Sequence, residues 1–179
     1  STEVAQEIAD ATELDELFHR VVTLIKERFG YYHAQIFRYD PECDAMVLVI
    51  GYGKAGKDML AAGHQLSMGR GVVGTAAITQ RPVLATDVTQ DPDWLPNPFL
   101  PATKGELAVP IIIRHRGKEA EVLGILDVQQ DVAGALTEED QLLLEGLCSQ
   151  IAIASDATRM RQQLEEQLRD LNAYVEPTD

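Results

Sequence analysis

The chain is poor in several things, and each shortage closes a route. Cysteine occurs twice, as Cys43 and Cys148, too few for a disulfide scaffold and without the spacing of a zinc site. A reducing, cytoplasmic compartment is expected. Neither thiol has a basic neighbour in sequence to lower its pKa, so both read as structural or incidental rather than redox-sensing. No apolar run approaches the roughly 20 residues that span a bilayer. Ser1 to Asp10 carries acids and lacks the basic-then-apolar order of a signal peptide. Basic residues are scarce: 15 Lys and Arg against 29 Asp and Glu give a formal net charge of −14. Non-specific nucleic-acid binding depends on neutralising phosphates, so neither nucleic acid nor an anionic membrane surface is an expected partner. Arg114-His115-Arg116 with Lys118 forms a basic patch, but it falls in an expected hairpin turn and reads as solvated. His19, His33, His64 and His115 have no partner at i+4 and no nearby cysteine, so no metal or haem site is expected.

What is there suits one globular domain. The 179 residues, 45% apolar and 25% charged, can form one sizeable core with flanking helices. Thr2 to Phe29 reads as an amphipathic helix, with Val4, Ile8, Ala11, Leu14, Leu17 or Phe18, Val21, Leu24 and Ile25 at spacings of three and four. Thr12 before Glu13 marks a point where that helix can restart, and Gly30 suits its C-terminal cap. His33–Tyr39 and Ala45–Tyr52 form a hairpin about Asp40-Pro41-Glu42-Cys43-Asp44. Gly51, Gly53 and Gly56 open a mobile stretch, followed by a short helix at Lys57–Ala62 and a short strand at His64–Met68. Gly69-Arg70-Gly71-Val72-Val73-Gly74 leads into a helical Thr75–Gln80, and Pro82–Ala85 is a brief strand. Pro92, Pro96, Pro98 and Pro101 then forbid regular structure between Asp87 and Thr103, a loop long enough to be functional. Glu106–Arg114 and Val122–Gln130 are antiparallel core strands.

Thr137 caps a last helix that starts with Glu138, Glu139 and Asp140 on its positive end and continues to about Val175, before Pro177. Ala157, Leu164 and Leu171 recur every seven residues. So do Leu147, Ala154, Leu168 and Val175, interrupted by Arg161. The pattern points to helix pairing and a homodimer. Residues 1–157 are assigned to a sensory domain and 158–179 to a signalling helix, a candidate coiled coil. The chain begins and ends in helix-like sequence, so a larger parent protein with an output domain is expected.

In this order, five motifs resemble a bacterial GAF domain of the kind found in sensor histidine kinases and other signalling proteins. They are Gly69-Arg70-Gly71-Val72-Val73-Gly74, Arg81-Pro82-Val83-Leu84-Ala85-Thr86-Asp87-Val88, Glu106-Leu107-Ala108-Val109-Pro110-Ile111, Leu123-Gly124-Ile125-Leu126-Asp127-Val128-Gln129, and the acidic helix start at Thr137. The resemblance runs over roughly Leu14 to Ala157. It implies an α+β (α/β) fold with a mostly antiparallel sheet of five or six strands. Terminal helices would cover one face, with short helices and loops over a ligand cavity on the other. The glycine run also fits G-x-G-x-x-G, but an antiparallel surround and acids confined to the proline-rich loop argue against a dinucleotide site. The glycines read instead as tight turns that aim helix N–H groups into the cavity, where they could meet an anionic group.

Strand parity selects the lining. Gly124, Leu126 and Val128, with Leu107, Val109, Ile111, Ala34 and Ile36, are assigned to the helix side. Leu123, Ile125, Asp127, Gln129, Glu106, Ala108, Gln35 and Phe37 are assigned to the cavity side. The ligand site is therefore expected at Gln35, Phe37, His64, Gly69, Gly71, Val72, Trp94, Glu106, Ala108, Ile125 and Asp127. Glu106 and Asp127 could equally just anchor loop backbone, and nothing fixes their separation for glycosidase chemistry. The resemblance also subtracts. Bilin-binding GAF domains attach the chromophore through a cysteine, often followed by His, and Pro98–Ala108 has neither. GAF-type methionine sulfoxide reductases use several cavity cysteines, which Cys43 and Cys148 do not supply. The N-K-x-F-x-D-E signature of cyclic-nucleotide GAF domains is missing. The expectation is a non-enzymatic sensory module for an unidentified small molecule with no cofactor assigned. The alternative is a ligand-free dimerisation and relay module.

Overall fold

The first helix runs unbroken through Thr12 and stops where glycine allows it. In the computed structural model, which describes residues 2–175 and side chains from residue 13 onward, α1 spans Thr2–Phe29. The expected faces of Val4, Ile8 and Ala11, and the stop at Pro177, lie outside the described residues. Gly30, at φ +65°, donates its N–H to the Lys26 carbonyl at 3.0 Å and caps the helix in the left-handed region. The buried stripe is Phe18, Val22 and Ile25, whereas Leu24 is 53% exposed. A wholly buried side chain like that of Phe18 contributes about 1.5–3 kcal/mol.

The strands are β1 (His33–Asp40), β2 (Ala45–Gly51), β3 (Gln65–Ser67), β4 (Val83–Ala85), β5 (Gly105–Ile113) and β6 (Glu121–Gln130). They form one six-stranded sheet in the order β3-β2-β1-β6-β5-β4, antiparallel at every junction. The remaining helices are α2 (Gly53–Ala61), α3 (Gly71–Thr79) and α4 (Glu138–Val175). Two of them start earlier than the sequence suggested. The glycines at 53 and 56 belong to α2, not to a mobile stretch, and α3 begins inside the glycine run. In both places glycine serves close backbone contact: a Cβ on Gly74 would overlap the Ser67 carbonyl oxygen. The proline-rich loop is irregular except for one 3-10 turn at Val88–Gln90, which Asp87 caps by accepting the Thr89 N–H.

The sheet separates two cores. On one face Ala34, Ile36, Leu107, Val109, Ile111, Leu126 and Val128 pack with Phe18 and Val22 of α1 and with Leu144, Cys148 and Ile151 of α4. On the other, Phe37, Ala108 and Ile125 pack with Met59 of α2 and Val72, Val73 and Ala76 of α3. Gly124 makes room for α1, since a Cβ there would sit 3.3 Å from the Phe18 ring and 2.9 Å from the Phe37 carbonyl oxygen. Parity fails at one expected position. The β5–β6 register steps from Ile111↔Gly124 to Ile112↔Val122, leaving Leu123 as a bulge residue. The bulge turns Leu123 into the helix-side core, not toward the cavity.

Helix α4 starts where the Asp140 carboxylate holds Thr137. The Thr137 N–H donates to Asp140 Oδ2 at 2.9 Å, while Asp140 Oδ1 accepts from the Tyr31 hydroxyl at 2.8 Å. The helix then continues for 38 residues, about 57 Å at 1.5 Å per residue. Its two heptad series part company. Leu147 packs on the sheet-side core, so the series through Leu147 does not form a single exposed seam. Among the described residues no helix is long and apolar enough to cross a membrane.

Candidate functional site

Beneath the proline-rich loop lies a cavity of about 50 Å³. Gln35 comes from β1, Leu66 from β3, Glu106 from β5 and Gln129 from β6. Gly71, Val72 and Val73 form the start of α3, and Trp94 to Asn97 the loop; His64 completes the wall. Six expected residues line it: Gln35, His64, Gly71, Val72, Trp94 and Glu106. Phe37, Ala108 and Ile125 lie in the apolar core on the same side of the sheet. Gly69 is spent on the turn into α3, with its N–H on the Gly74 carbonyl at 2.8 Å and the direction of a side chain there pointing at Ile78. The reading missed Leu66, Val73, Leu95, Pro96 and Asn97, which bear no chemical signature. It also left Gln129 out of the site, although parity had placed that residue on the correct face.

Asp127 is wholly buried and sits at the centre of a polar network. Its Oδ2 accepts from the Gln35 amide at 2.9 Å and from the Gln129 amide at 2.8 Å. The same Gln129 nitrogen reaches Glu106 Oε2 at 3.2 Å, and the Trp94 indole N–H donates to Glu106 Oε1 at 2.8 Å. Thr103 donates its hydroxyl to Gln129 Oε1 at 2.5 Å, which fixes the orientation of that amide. His33 Nε2 meets Gln35 Oε1 at 3.0 Å and does the same for Gln35. Among the described residues, neither carboxyl has an ion-pair partner, and Asp127 Oδ1 is a buried polar atom without a hydrogen-bond partner.

Two carboxyls this close, both out of water, do not both ionise. Burial, then the Asp127 charge, holds Glu106 well above the ordinary carboxylate range. Burial raises Asp127 as well, but hydrogen bonds from Glu106, Gln129 and Gln35 offset it. Glu106 is raised further than Asp127, so a proton that the pair retains resides on Glu106. Burial also pushes His33 down to about 4 and lowers His64, so both imidazoles are neutral.

This arrangement sets a pH dependence. Between its ordinary value of 4.5 and its raised folded value, Glu106 is protonated in the folded chain and ionised in the unfolded one. The folded state binds more protons there, so stability falls as pH rises. His33 acts in the opposite direction: its contribution is complete above 6.5 and is lost as pH falls toward about 4. Cys148, pushed up to about 12 by burial, acts only at higher pH. Above 6.5, where His33 is neutral in both states, and below the onset of Cys148, the interval over which stability falls with pH is set by Glu106. Urea midpoints of the wild type are expected to decline across that interval and those of Glu106→Gln to stay level. A level wild-type profile would show that no proton is shared.

Residues 11–156 match the GAF domain family. No curated protein matches the chain. Among solved structures, a free methionine-R-sulfoxide reductase from Neisseria meningitidis in complex with its substrate is 25% identical, with 87% of each chain covered and a TM-score of 0.67. The GAF domain of a phosphoenolpyruvate-protein phosphotransferase from Coxiella burnetii is 24% identical over 89% of this chain and 92% of its own, with a TM-score of 0.67. A type II free methionine-R-sulfoxide reductase from Thermoplasma acidophilum is 20% identical over 84% and 94%, with a TM-score of 0.61.

These likenesses correct the expectation that the chain is not an enzyme. That expectation rested on the missing cavity cysteines, yet structures this similar include two reductases. The cavity supplies the physical reason. Buried carboxyls held above their ordinary pKa values, as Glu106 and Asp127 are, are a kind of group that acid–base chemistry uses and that a count of cysteines overlooks. With the match covering most of its length and the six-stranded sheet in place, the chain belongs to the GAF domain family.

Proposed function

We propose that the chain is a regulatory input module that binds a small molecule in the cavity beneath Trp94 and relays its occupancy through the terminal helices. The observation that carries this reading is the buried Glu106–Asp127 network, in which Asp127 Oδ1 is left unpartnered and Glu106 holds the indole of Trp94. At about 50 Å³ the cavity is well below the roughly 300 Å³ at which ligand sites usually begin. Binding then requires the loop at Asp87–Thr103 and the Gly53–Gly74 segment to shift toward a more open population. Two adjacent hydroxyls offer a route onward. The Ala102 N–H, in the cavity loop, donates to the Tyr32 hydroxyl at 3.3 Å, and the Tyr31 hydroxyl holds Asp140 in the first turn of α4. The proposed unit is a cytoplasmic homodimer. Residues 1–157 sense, residues 158–179 signal, and the output domain is of the kind that sensor histidine kinases carry.

The small cavity also suits the second reading, a ligand-free dimerisation and relay module. One observable separates the two. Trp94 is the only tryptophan in the chain, so intrinsic fluorescence reports on the cavity directly. A panel of small metabolites and anions is to be screened by fluorescence and thermal shift. It should include free methionine sulfoxide, since the Neisseria relative is complexed with its substrate. At least one compound is expected to move both signals, and Trp94→Ala to weaken its binding at least about tenfold, the value of one good contact. If nothing moves either signal, the ligand-free reading takes its place.

A further inference from the structure

The Glu106–Asp127 network is built almost entirely of donors that carry no charge. Gln35, Gln129 and Trp94 supply the N–H groups, and neither Lys nor Arg lines the cavity. Uncompensated buried charge is costly, and proteins ordinarily offset it with an ion pair or a bound ion. Here the proton retained by Glu106 stands where a counter-cation would. Asp127 lies behind the chamber wall, on the same face of β6 as Gln129 and hydrogen-bonded to Gln35 and Gln129, which both line it, and its buried Oδ1 has no hydrogen-bond partner. The net charge of −14 gives the whole surface a field that attracts cations and repels anions.

We infer that the cavity selects ligands whose buried end is a small cation, a primary or methylated ammonium group, seated against Glu106 and Asp127 beneath Trp94. This rests on the small-molecule reading above and narrows it to a chemical class. The exchange balances in charge and protons. The ammonium enters with its positive charge, Glu106 gives its proton to solvent, and the site then holds two carboxylates against one cation. One proton leaves for each cation bound, so affinity rises about tenfold per pH unit while Glu106 is protonated in the free protein.

The test uses methylammonium and ethylammonium chloride as cations, acetamide and dimethyl sulfoxide as neutral acceptors, acetate as an anion, and potassium chloride at matched ionic strength as the screening control. Trp94 fluorescence and thermal shift are read at several pH values. Calorimetry in two buffers of different ionisation enthalpy counts released protons. The expected result is saturable binding of the alkylammonium ions beyond the potassium effect, with close to one proton released. In Glu106→Gln, binding should fall at least tenfold and proton release should vanish; Asp127→Asn serves if that variant does not fold. Binding of the neutral probes alone, independent of pH, would overturn the cation assignment while leaving the cavity reading intact. An alkylammonium response equal to that of potassium would overturn it as well. Silence from every probe here, with a response to another compound of the metabolite panel, overturns the cation assignment alone; silence from that panel as well removes both readings.

Discussion

Replacing Gly56 by Ala is expected to destabilise the fold by at least about 3 kcal/mol, the upper end of the range for overpacking. Gly56 lies in the first turns of α2, where the helix crosses β2 at Gly51. A Cβ at Gly56 would overlap the Gly51 carbonyl and stand 2.6 Å from the Gly51 Cα. The opposing atoms are backbone, and they belong to a strand hydrogen-bonded within the sheet, so neither partner can swing aside as a side chain would. The loss does not come from conformational preference. Gly56 has no positive φ, and in a helix alanine is ordinarily better than glycine by about 1 kcal/mol. The methyl group must therefore lift α2, unseating Met59 from the cavity-side core. Gly146→Ala is the matched control: it is also helical, nothing lies within 4 Å of its added Cβ, and it should be neutral or stabilising. Urea unfolding of the two variants measures the contrast. Equal midpoints would mean that α2 does not cross β2 as described.

The same crossing shows why some of the fold was legible and some was not. Period-two alternation carried Ala34, Ile36, Leu107, Val109, Ile111, Leu126 and Val128 to the helix side, where each is found. Alternation is a local property, and it holds until a bulge intervenes, as at Leu123. The glycines at 51, 53 and 56 carry no such pattern. Their composition alone suggests mobility, whereas Gly51 and Gly56 meet each other across a crossing that only the fold makes, and Gly53 takes the left-handed backbone, φ +68°, at the start of α2. The site divides in the same way. Gln35, Glu106 and Asp127 were found because a polar residue on a buried face is conspicuous. Leu66, Leu95 and Asn97 were not, because a wall of ordinary loop and strand residues is set by tertiary position. His64 was placed by proximity to the glycine run and does reach the cavity, where its ring meets Phe37 at a tilt and Phe99 edge-on, at centroid distances of 5.9 and 6.4 Å. Gly69 was chosen on the same ground and turns away.

Exposure changes along the last helix. Residues up to Ile151 and Ala152 bury against the sheet. Beyond them a different stripe is exposed: Ile153, Ala157, Met160, Leu164, Gln167, Leu171 and Tyr174. Its steps alternate four and three, the spacing of a coiled-coil seam. It starts on the body of the domain and ends about 31 Å further along the helix. In a parallel pair, Asp156 of one helix faces Arg161 of the other, five positions on, with opposite charge. The polar Gln167 within the seam would hold the register.

Dimerisation along this stripe makes the second large prediction, the double substitution Leu164→Glu and Leu171→Glu. In the free chain these leucines are 56% and 58% exposed, so the domain itself should lose almost nothing, within about 0.5 kcal/mol. In a paired helix the same change removes four buried leucines across the seam and sets charge in their place. Even at about 1.5 kcal/mol for each leucine the total is roughly 6 kcal/mol, a weakening of about ten-thousandfold in dimer affinity. Sedimentation velocity at tens of micromolar is expected to show dimer for the wild type and monomer for the variant, with unchanged thermal unfolding of the monomeric domain. The contrast between the two readouts is what identifies a seam: a packing role within one chain would lower stability without changing mass. A wild-type chain that stays monomeric at about 100 micromolar removes the dimer from the relay. The contact from Tyr31 to Asp140 would then have to act on a single helix.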